Sequence, residues 1–564
     1  MWRVSALALA ILLTPALAQA TWHSGGNRID GGGGFVAAAS GPGRVVVAWV
    51  RQAGPGITEV RAQAWTADGE LPSGWPSAGV LVSDVPGTNH GPAIYEDGAG
   101  GVFVAWVNER GTDRSYYLQH VSATGSLAAG WAAEGLRLDS VSDYAAALVA
   151  THDGAGGVLV GSVEHRWDGP PSSRALIQRI DAAGRHAAEW PVGGYSIANA
   201  YDLGLAVDGE HHVFVSTAEV DPVEGRLGGL RVQRLDGSAV PDPGWPQKGA
   251  LLPYPGNPAG IRLFPDGTGG VFANWGEGLI CLECDTPLIS VARVLSDGTE
   301  DDGWIPRPGA NSIAPDGMGG VLLGRGIGGR PGALRLDAGG AVMPGWAPAG
   351  NAAMTEVVEV TPLVTADGEG GAFVSWVDYR TDEGQLYASR LDAQGRLADG
   401  WPATGSVVGT RGNSVVHVQL VSVGAGVAVA LWEEWAREGF TGYLLALRPG
   451  EPGPIARLRP VSIEVGFGVV HVRPNPARGP IVAIVELPSL GPARIELVDA
   501  AGRMRESQDF FFQMPPISPL AYATPSHARG AVYFNQARTL PPGVYWIRVT
   551  QGLRRASSKV VVLE

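Results

Sequence analysis

Short apolar runs recur between residues 21 and 450 at near-constant spacing, each opened by a turn of aspartate and glycine. The pattern is plainest at Asp367-Gly368-Glu369-Gly370-Gly371, which leads into Ala372-Phe373-Val374-Ser375-Trp376. The same D-G-x-G-G turn stands at Asp97, Asp153, Asp266 and Asp316, with the variant Asp208-Gly209-Glu210-His211-His212 between them. Degenerate copies lead into Val45-Val46-Val47-Ala48-Trp49 and Val427-Ala428-Val429-Ala430-Leu431-Trp432, which makes eight runs. Successive aspartates are 50 to 58 residues apart. A run rich in Val, Phe and Trp without polar alternation predicts a strand covered on both faces. Asp-Gly and Gly-Gly supply the positive-φ positions that hairpin turns demand.

Each unit continues through a polar loop to a strand that alternates apolar and charged residues, such as Leu230-Arg231-Val232-Gln233-Arg234-Leu235. A second Asp/Gly turn follows, as in Asp181-Ala182-Ala183-Gly184, and then a segment carrying a tryptophan. No stretch has the i, i+3, i+4 apolar spacing of a long helix. Strands in fours at this period predict a β-propeller, an all-β ring. The tryptophan segment occurs at Trp75, Trp131, Trp190, Trp245, Trp304, Trp346 and Trp401, and none follows the eighth run. Trp22-His23-Ser24-Gly25-Gly26-Asn27-Arg28-Ile29 supplies the missing copy at the opposite end. The expectation is an eight-bladed ring closed by its first strand, with seven blades as the alternative. Closure removes the exposed edges that invite aggregation.

Composition narrows the class. Among 564 residues there are 83 Gly and 42 Pro, yet 45% are apolar and only 17% charged, which excludes a disordered chain. A formal charge of −14 without a Lys/Arg cluster argues against a nucleic-acid partner. Arg3, the apolar run Val4–Leu13 and the small-residue sites Ala16-Leu17-Ala18 and Ala18-Gln19-Ala20 read as a signal peptide over residues 1–20. No later segment is apolar enough to cross a membrane, so the expected location is extracellular or at a bacterial cell surface. The only cysteines, Cys281 and Cys284, are a candidate local disulfide in an exported chain, with a redox pair or half a zinc site as alternatives. No cofactor or metal is expected, since neither a second C-x-x-C nor a D-x-D-x-D-G loop is present.

Both kinds of Asp/Gly turn fall on one face of such a ring, and the variable connections on the other. Loops on a rigid scaffold are where binding groups usually sit. The candidate ligand-binding residues are therefore Glu109, Arg110, Glu164, His165, Glu219, Asp378, Tyr379, Arg380 and Glu433. Glu164, His165 and Asp168 make the one place where a base and carboxylates cluster in sequence. The repeated tryptophans read as blade packing. No catalytic constellation is defined.

The repeat resembles the D-G-x-G-G-x-x-x-x-W…L-D-x-x-G repeats of large exported bacterial proteins with propeller-type folds. It differs from the S-x-D-x-G-x-x-W turn of sialidase-type propellers. After Arg448-Pro449-Gly450 the pattern changes. Val472-Arg473-Pro474-Asn475-Pro476, Asp499-Ala500-Ala501-Gly502-Arg503 and Leu540-Pro541-Pro542-Gly543-Val544-Tyr545 resemble the C-terminal sorting domain of type IX secretion cargo. They also resemble the immunoglobulin-like domain of flagellar hook-capping proteins. The resemblance implies a small β-sandwich over 456–564 behind a propeller over 21–455, and passage through outer-membrane secretion machinery. The stretch from Asp509 to Ala537 is longer than the family's middle section. The leading functional reading is a secreted or surface binding or adhesion protein with an extracellular glycan or protein partner. The alternatives are a secreted carbohydrate-active enzyme, hydrolase or lyase, and a structural envelope component. The enzyme would need two carboxylates about 5–10 Å apart.

Overall fold

In a computed structural model the chain is described at residue 22, over 27–29, and over 33–449, 468–510 and 528–563 apart from short loop stretches. The expected signal peptide, Cys281 and Cys284 lie outside the described residues. Strands and turns make up what is described. Among the described residues between Asn27 and Leu447, eight antiparallel sheets follow one another in chain order, seven of four strands and one, over 258–294, of three. The second sheet is typical: Thr88–Glu96, Val102–Arg110, Asp113–Val121 and Leu136–Ser140, each paired with the next. The fold is β-propeller-like. The eighth sheet consists of Ser414–Gly424, Val427–Ala436 and Gly439–Leu447, and its outer strand is Asn27–Ile29. Asn27 stands opposite Leu444 and Ile29 opposite Gly442, so the amino-terminal segment completes the last sheet.

The D-G-x-G-G turn joins the first and second strands of a sheet, and each of its residues has a separate reason. Asp97 Oδ1 accepts from the amides of Ala99 and Gly101, at 2.7 and 2.8 Å. Gly98 and Gly100 hold φ of +72° and +92°. Gly101 does not need positive φ. A Cβ there would overlap the Asp97 carboxylate and lie 2.5 Å from the Val121 carbonyl of the third strand. The second carboxylate oxygen is met by a side-chain nitrogen from that third strand: Arg293 for Asp266 at 2.6 Å, Arg335 for Asp316 at 2.8 Å, Arg390 for Asp367 at 2.7 Å, and His120 for Asp97 at 2.8 Å. These aspartates are buried, so their charge is compensated by fixed donors rather than water.

The sheets are tied to one another by a repeated tryptophan bond. Each indole of the series from Trp75 to Trp401 follows the third strand of its sheet, and all but one donate to a turn carbonyl of the following sheet. Trp75 bonds Ala123 at 3.1 Å, Trp131 bonds Ala182 at 3.0 Å, Trp245 bonds Ser296 at 2.9 Å and Trp304 bonds Ala338 at 2.8 Å. Trp346 to Ala393 (3.1 Å) and Trp401 to Pro449 (3.2 Å) continue the series. Trp22 closes it on Ala67 of the first sheet. Trp190 is the exception and bonds Ile177 within its own sheet. Arginines add further links, such as Arg293 to Ala338 at 2.8 Å and Arg234 to Gly269 at 2.8 Å. A buried indole removes a large apolar area from water while its N–H finds a carbonyl, so one residue both packs and registers neighbouring sheets.

The carboxyl-terminal region forms two more sheets, one of Gly468–Arg473, Ile481–Leu487 and Ala528–Phe534. The other has the order Met504–Phe510, Ala493–Asp499, Gly543–Gln551, Arg554–Val562. Ile481, Ala483 and Phe534 from the first share a core with Ile495, Leu497, Ile547 and Val549 from the second.

Candidate functional site

The first strands of the sheets are the innermost. The strands Gly33–Ala39, Thr88–Glu96, Tyr144–His152, Ala200–Val207 and Pro258–Pro265 converge on a cavity of about 390 Å3. The last residues of each strand line it, including Ala38, Tyr95, Glu96, Thr151, His152 and Phe264. These ends run directly into the D-G-x-G-G turns. The cavity therefore opens on the face of short, stereotyped turns, whereas the sequence pointed to the face of variable loops. Convergence of inner strands makes space on the axis irrespective of loop length, and loop composition carries no trace of it. Tyr95 donates its hydroxyl to the Leu148 carbonyl at 3.1 Å, and burial pushes that hydroxyl up to about 12. Its ring is packed between the second and third sheets at the border of the cavity. The polar groups on the lining are Glu96, Thr151 and His152.

The residues expected from sequence lie toward the opposite end, and most have structural partners. Glu109 is half exposed and bonds His90 Nε2 at 3.1 Å and Arg114 Nε at 3.0 Å. Arg110 donates to the Pro86 carbonyl at 2.6 Å. Glu164 is paired with Arg174 at 2.8 Å. His165 and Glu219 are placed only by strand register, His165 opposite Ser173 and Glu219 opposite Gly229. Asp378 and Glu433 are 2% and 1% exposed, so neither is the open loop carboxylate that the sequence suggested. Asp378 is the last residue of its strand, and Glu433 stands inside Val427–Ala436 opposite Gly442. Tyr379, Arg380 and Asp168 lie outside the described residues. Among the described residues, Glu109 and Arg110 share the second sheet, while Glu164, Asp378 and Glu433 stand on three others.

Two residues missed in the sequence emerge here. His90 and His417 both lie on innermost strands and face candidate carboxylates, His90 facing Glu109 and His417 Nδ1 lying 3.4 Å from Glu433 Oε2. His417 sits in a β-bulge with φ of +50°. The bulge positions of three other sheets carry Gly34, Gly91 and Gly260, with φ of +67°, +57° and +64°. A histidine at a bulge where three other sheets carry glycine was the available signal. The inner strands are too divergent for it to stand out without the register.

A buried carboxylate also joins inner strands elsewhere. Asp202 accepts from the Leu203 amide at 2.7 Å within its own strand and from the Gly260 amide at 2.5 Å in the next sheet. Burial pushes its carboxyl up to about 6 despite these bonds. Among the described residues no group of three or more His, Cys, Asp or Glu is placed to hold a metal. No helix among them is long and apolar enough to cross a membrane.

No protein-family model and no curated protein matches this chain. Solved structures share its chain path at low overlap. A polysaccharide lyase of family PL25, an ulvan lyase, is 9% identical over 75% of this chain and 96% of its own, with a TM-score of 0.39. Polysaccharide lyase Uly1 is 8% identical over 73% of this chain and 77% of its own, with a TM-score of 0.27. The GH43_1 enzyme from Xanthomonas citri, complexed with xylotriose, is 11% identical over 65% of this chain and 89% of its own, with a TM-score of 0.24. These likenesses concern the path of the chain and transfer no chemistry to it.

Proposed function

We propose that this chain is an exported, eight-bladed propeller that binds a saccharide on its axis, at the face of the Asp-Gly turns. The observation that carries the reading is the cavity of about 390 Å3 where five inner strands converge. Its volume falls in the range of roughly 300–1,000 Å3 typical of small-ligand sites. Its lining is mixed: Tyr95 and Phe264 border it from the packing between sheets, while Glu96, Thr151 and His152 offer partners for sugar hydroxyls. The signal-peptide reading of residues 1–20 supports export. The carboxyl-terminal sheets, read as an immunoglobulin-like sorting domain, would deliver or anchor the ring through outer-membrane secretion machinery.

The test is an oligosaccharide array probed with the mature protein and with Ala38→Trp and Thr151→Trp, which fill the cavity. Binding by the parent and loss in variants of unchanged melting temperature support the reading. An array without hits overturns it.

A second reading, a secreted carbohydrate-active enzyme, is favoured by Glu96 and His152 lining the same cavity from neighbouring inner strands. A carboxylate and an imidazole both serve as general acid–base groups, which suits the proton transfers of a lyase, whereas a hydrolase ordinarily pairs two carboxylates. New reducing ends or unsaturated products from an array hit, lost in Glu96→Gln, would establish it.

A further inference from the structure

The axial cavity has one polar wall. Its lining from the first, fourth and fifth sheets, residues 38–39, 205–207 and 263–265, offers no side-chain donor or acceptor. The polar side chains come from the second and third sheets, and among them the Tyr95 hydroxyl already donates to Leu148. That leaves Glu96, Thr151 and His152. Glu96 is the one carboxylate on the lining, and no lysine or arginine accompanies it there. Asp97, next along the chain, meets His120 and two turn amides, while Asp266, Asp316 and Asp367 on the same face each meet an arginine. Glu96, by contrast, is exposed and enters no hydrogen bond or ion pair among the described residues. The imbalance extends over the ring, since residues 21–455 hold 27 Lys and Arg against 48 Asp and Glu. A concave site with apolar walls focuses such a field at its own charge. Arg262 stands one residue before the fifth sheet's lining segment and is not part of it; its charge is felt at the Tyr95 hydroxyl.

Resting on the axial saccharide site proposed above, we infer that its ligand is an amine-bearing saccharide, with Glu96 as counter-ion of the ammonium group. An ammonium supplies three donors and a charge, and a hydrogen bond between two ionised groups is about twice as strong as one between neutral groups. A uronate or a sulfate ester would instead bring a second negative charge to a wall without a cation, where its desolvation goes uncompensated. An N-acetylated ring keeps the hydroxyls and forfeits the charge. Thr151 and His152, on the strand beside Glu96, then hold ring hydroxyls next to the amine. The apolar walls of the other three sheets face the remaining sides of the ligand and select against any further charge on it.

The experiment is a calorimetric titration of the mature protein with short oligomers of glucosamine, N-acetylglucosamine and galacturonic acid, at low and at physiological salt. The glucosamine oligomer should bind roughly tenfold more tightly than its N-acetylated counterpart, the advantage should shrink as salt rises, and the galacturonic acid oligomer should not bind. Glu96→Gln should bring the two affinities together at an unchanged melting temperature. Glu210→Gln removes a charge from a neighbouring turn, where the side chain is 82% exposed, and should leave them apart. Ala38→Trp should abolish binding. A preference for either of the other oligomers, a loss in Glu210→Gln equal to that in Glu96→Gln, or galacturonic acid binding that Arg262→Gln removes would overturn the inference and leave the axial site standing. No binding of any saccharide would overturn both.

Discussion

The indole nitrogen of Trp22 donates to the carbonyl of Ala67 at 2.7 Å, across 45 residues of chain. Gly69 lies under the same ring, where a Cβ would come within 2.8 Å of Trp22 Cδ2. The geometry repeats that of Trp75 over Gly125 and Trp131 over Gly184, where the Cβ distances would be 2.7 and 3.0 Å. A tryptophan far upstream of the first repeat thus behaves as a member of it. Trp22→Ala should destabilise the protein by about 3 kcal/mol, from lost apolar burial and one hydrogen bond. Denaturant midpoints of this variant and of Trp75→Ala should fall together. A Trp22→Ala midpoint equal to the parent's would show that the closing segment is not part of the folded ring.

The turn glycines should separate into two classes. At Gly98 only the positive φ resists a side chain, because a Cβ there would find no heavy atom nearer than His152 Nδ1 at 4.0 Å. Gly98→Ala should cost about 1 kcal/mol. At Gly101 the φ is permissive but the Val121 carbonyl is in the way, so Gly101→Ala should cost more, about 3 kcal/mol. Chemical denaturation ranks the two, and the reverse order would contradict the steric account.

Asp97 titrates against the pull of its own burial. Desolvation alone would raise its carboxyl, yet the His120 bond and the Ala99 and Gly101 amides together hold it below the ordinary carboxylate value. A depressed native value gives stability that is present above the unfolded value and lost as pH falls through the native one. Asp97→Asn should therefore be less stable than the parent at pH 7 and approach it near pH 2. His120→Arg, which copies the Asp316–Arg335 pair, should retain the parent's stability at pH 7.

Asp202 should show the opposite sign. Its carboxyl is pushed up to about 6, so the contribution is full below about 3.8 and disappears as pH rises through 6. Parent stability should decline across that window by on the order of 2–3 kcal/mol from this group. In Asp202→Asn the decline should be absent. An unchanged slope in the variant would assign the window to another group.

Much of the frame was readable because turns and buried strands leave a compositional mark. Asp97, Gly98 and Gly101 are each demanded by a bond, a φ or a close approach, so they recur in sequence as they do in space. Trp22 was recognisable for the same reason. The axial cavity was not, since Ala38, Thr151 and Phe264 are unremarkable residues that meet only through the convergence of five strands. Glu433 and Asp378 looked like loop carboxylates and are buried, because sequence does not show on which side of a strand's edge a polar residue is packed. His417 was invisible until strand register aligned it with Gly34, Gly91 and Gly260.

Both arms of the chain arrive at one turn. Trp22 and Arg448 donate to the same carbonyl, that of Ala67, while Arg448 also reaches Asp68 and Asn27 reaches Gly69. Where the propeller-like region begins and where it stops is thus an accident of translation rather than of architecture. Joined by a short peptide from 449 to 22, the same sheets could be written starting from any other connection, and a circularly permuted gene should encode the same object.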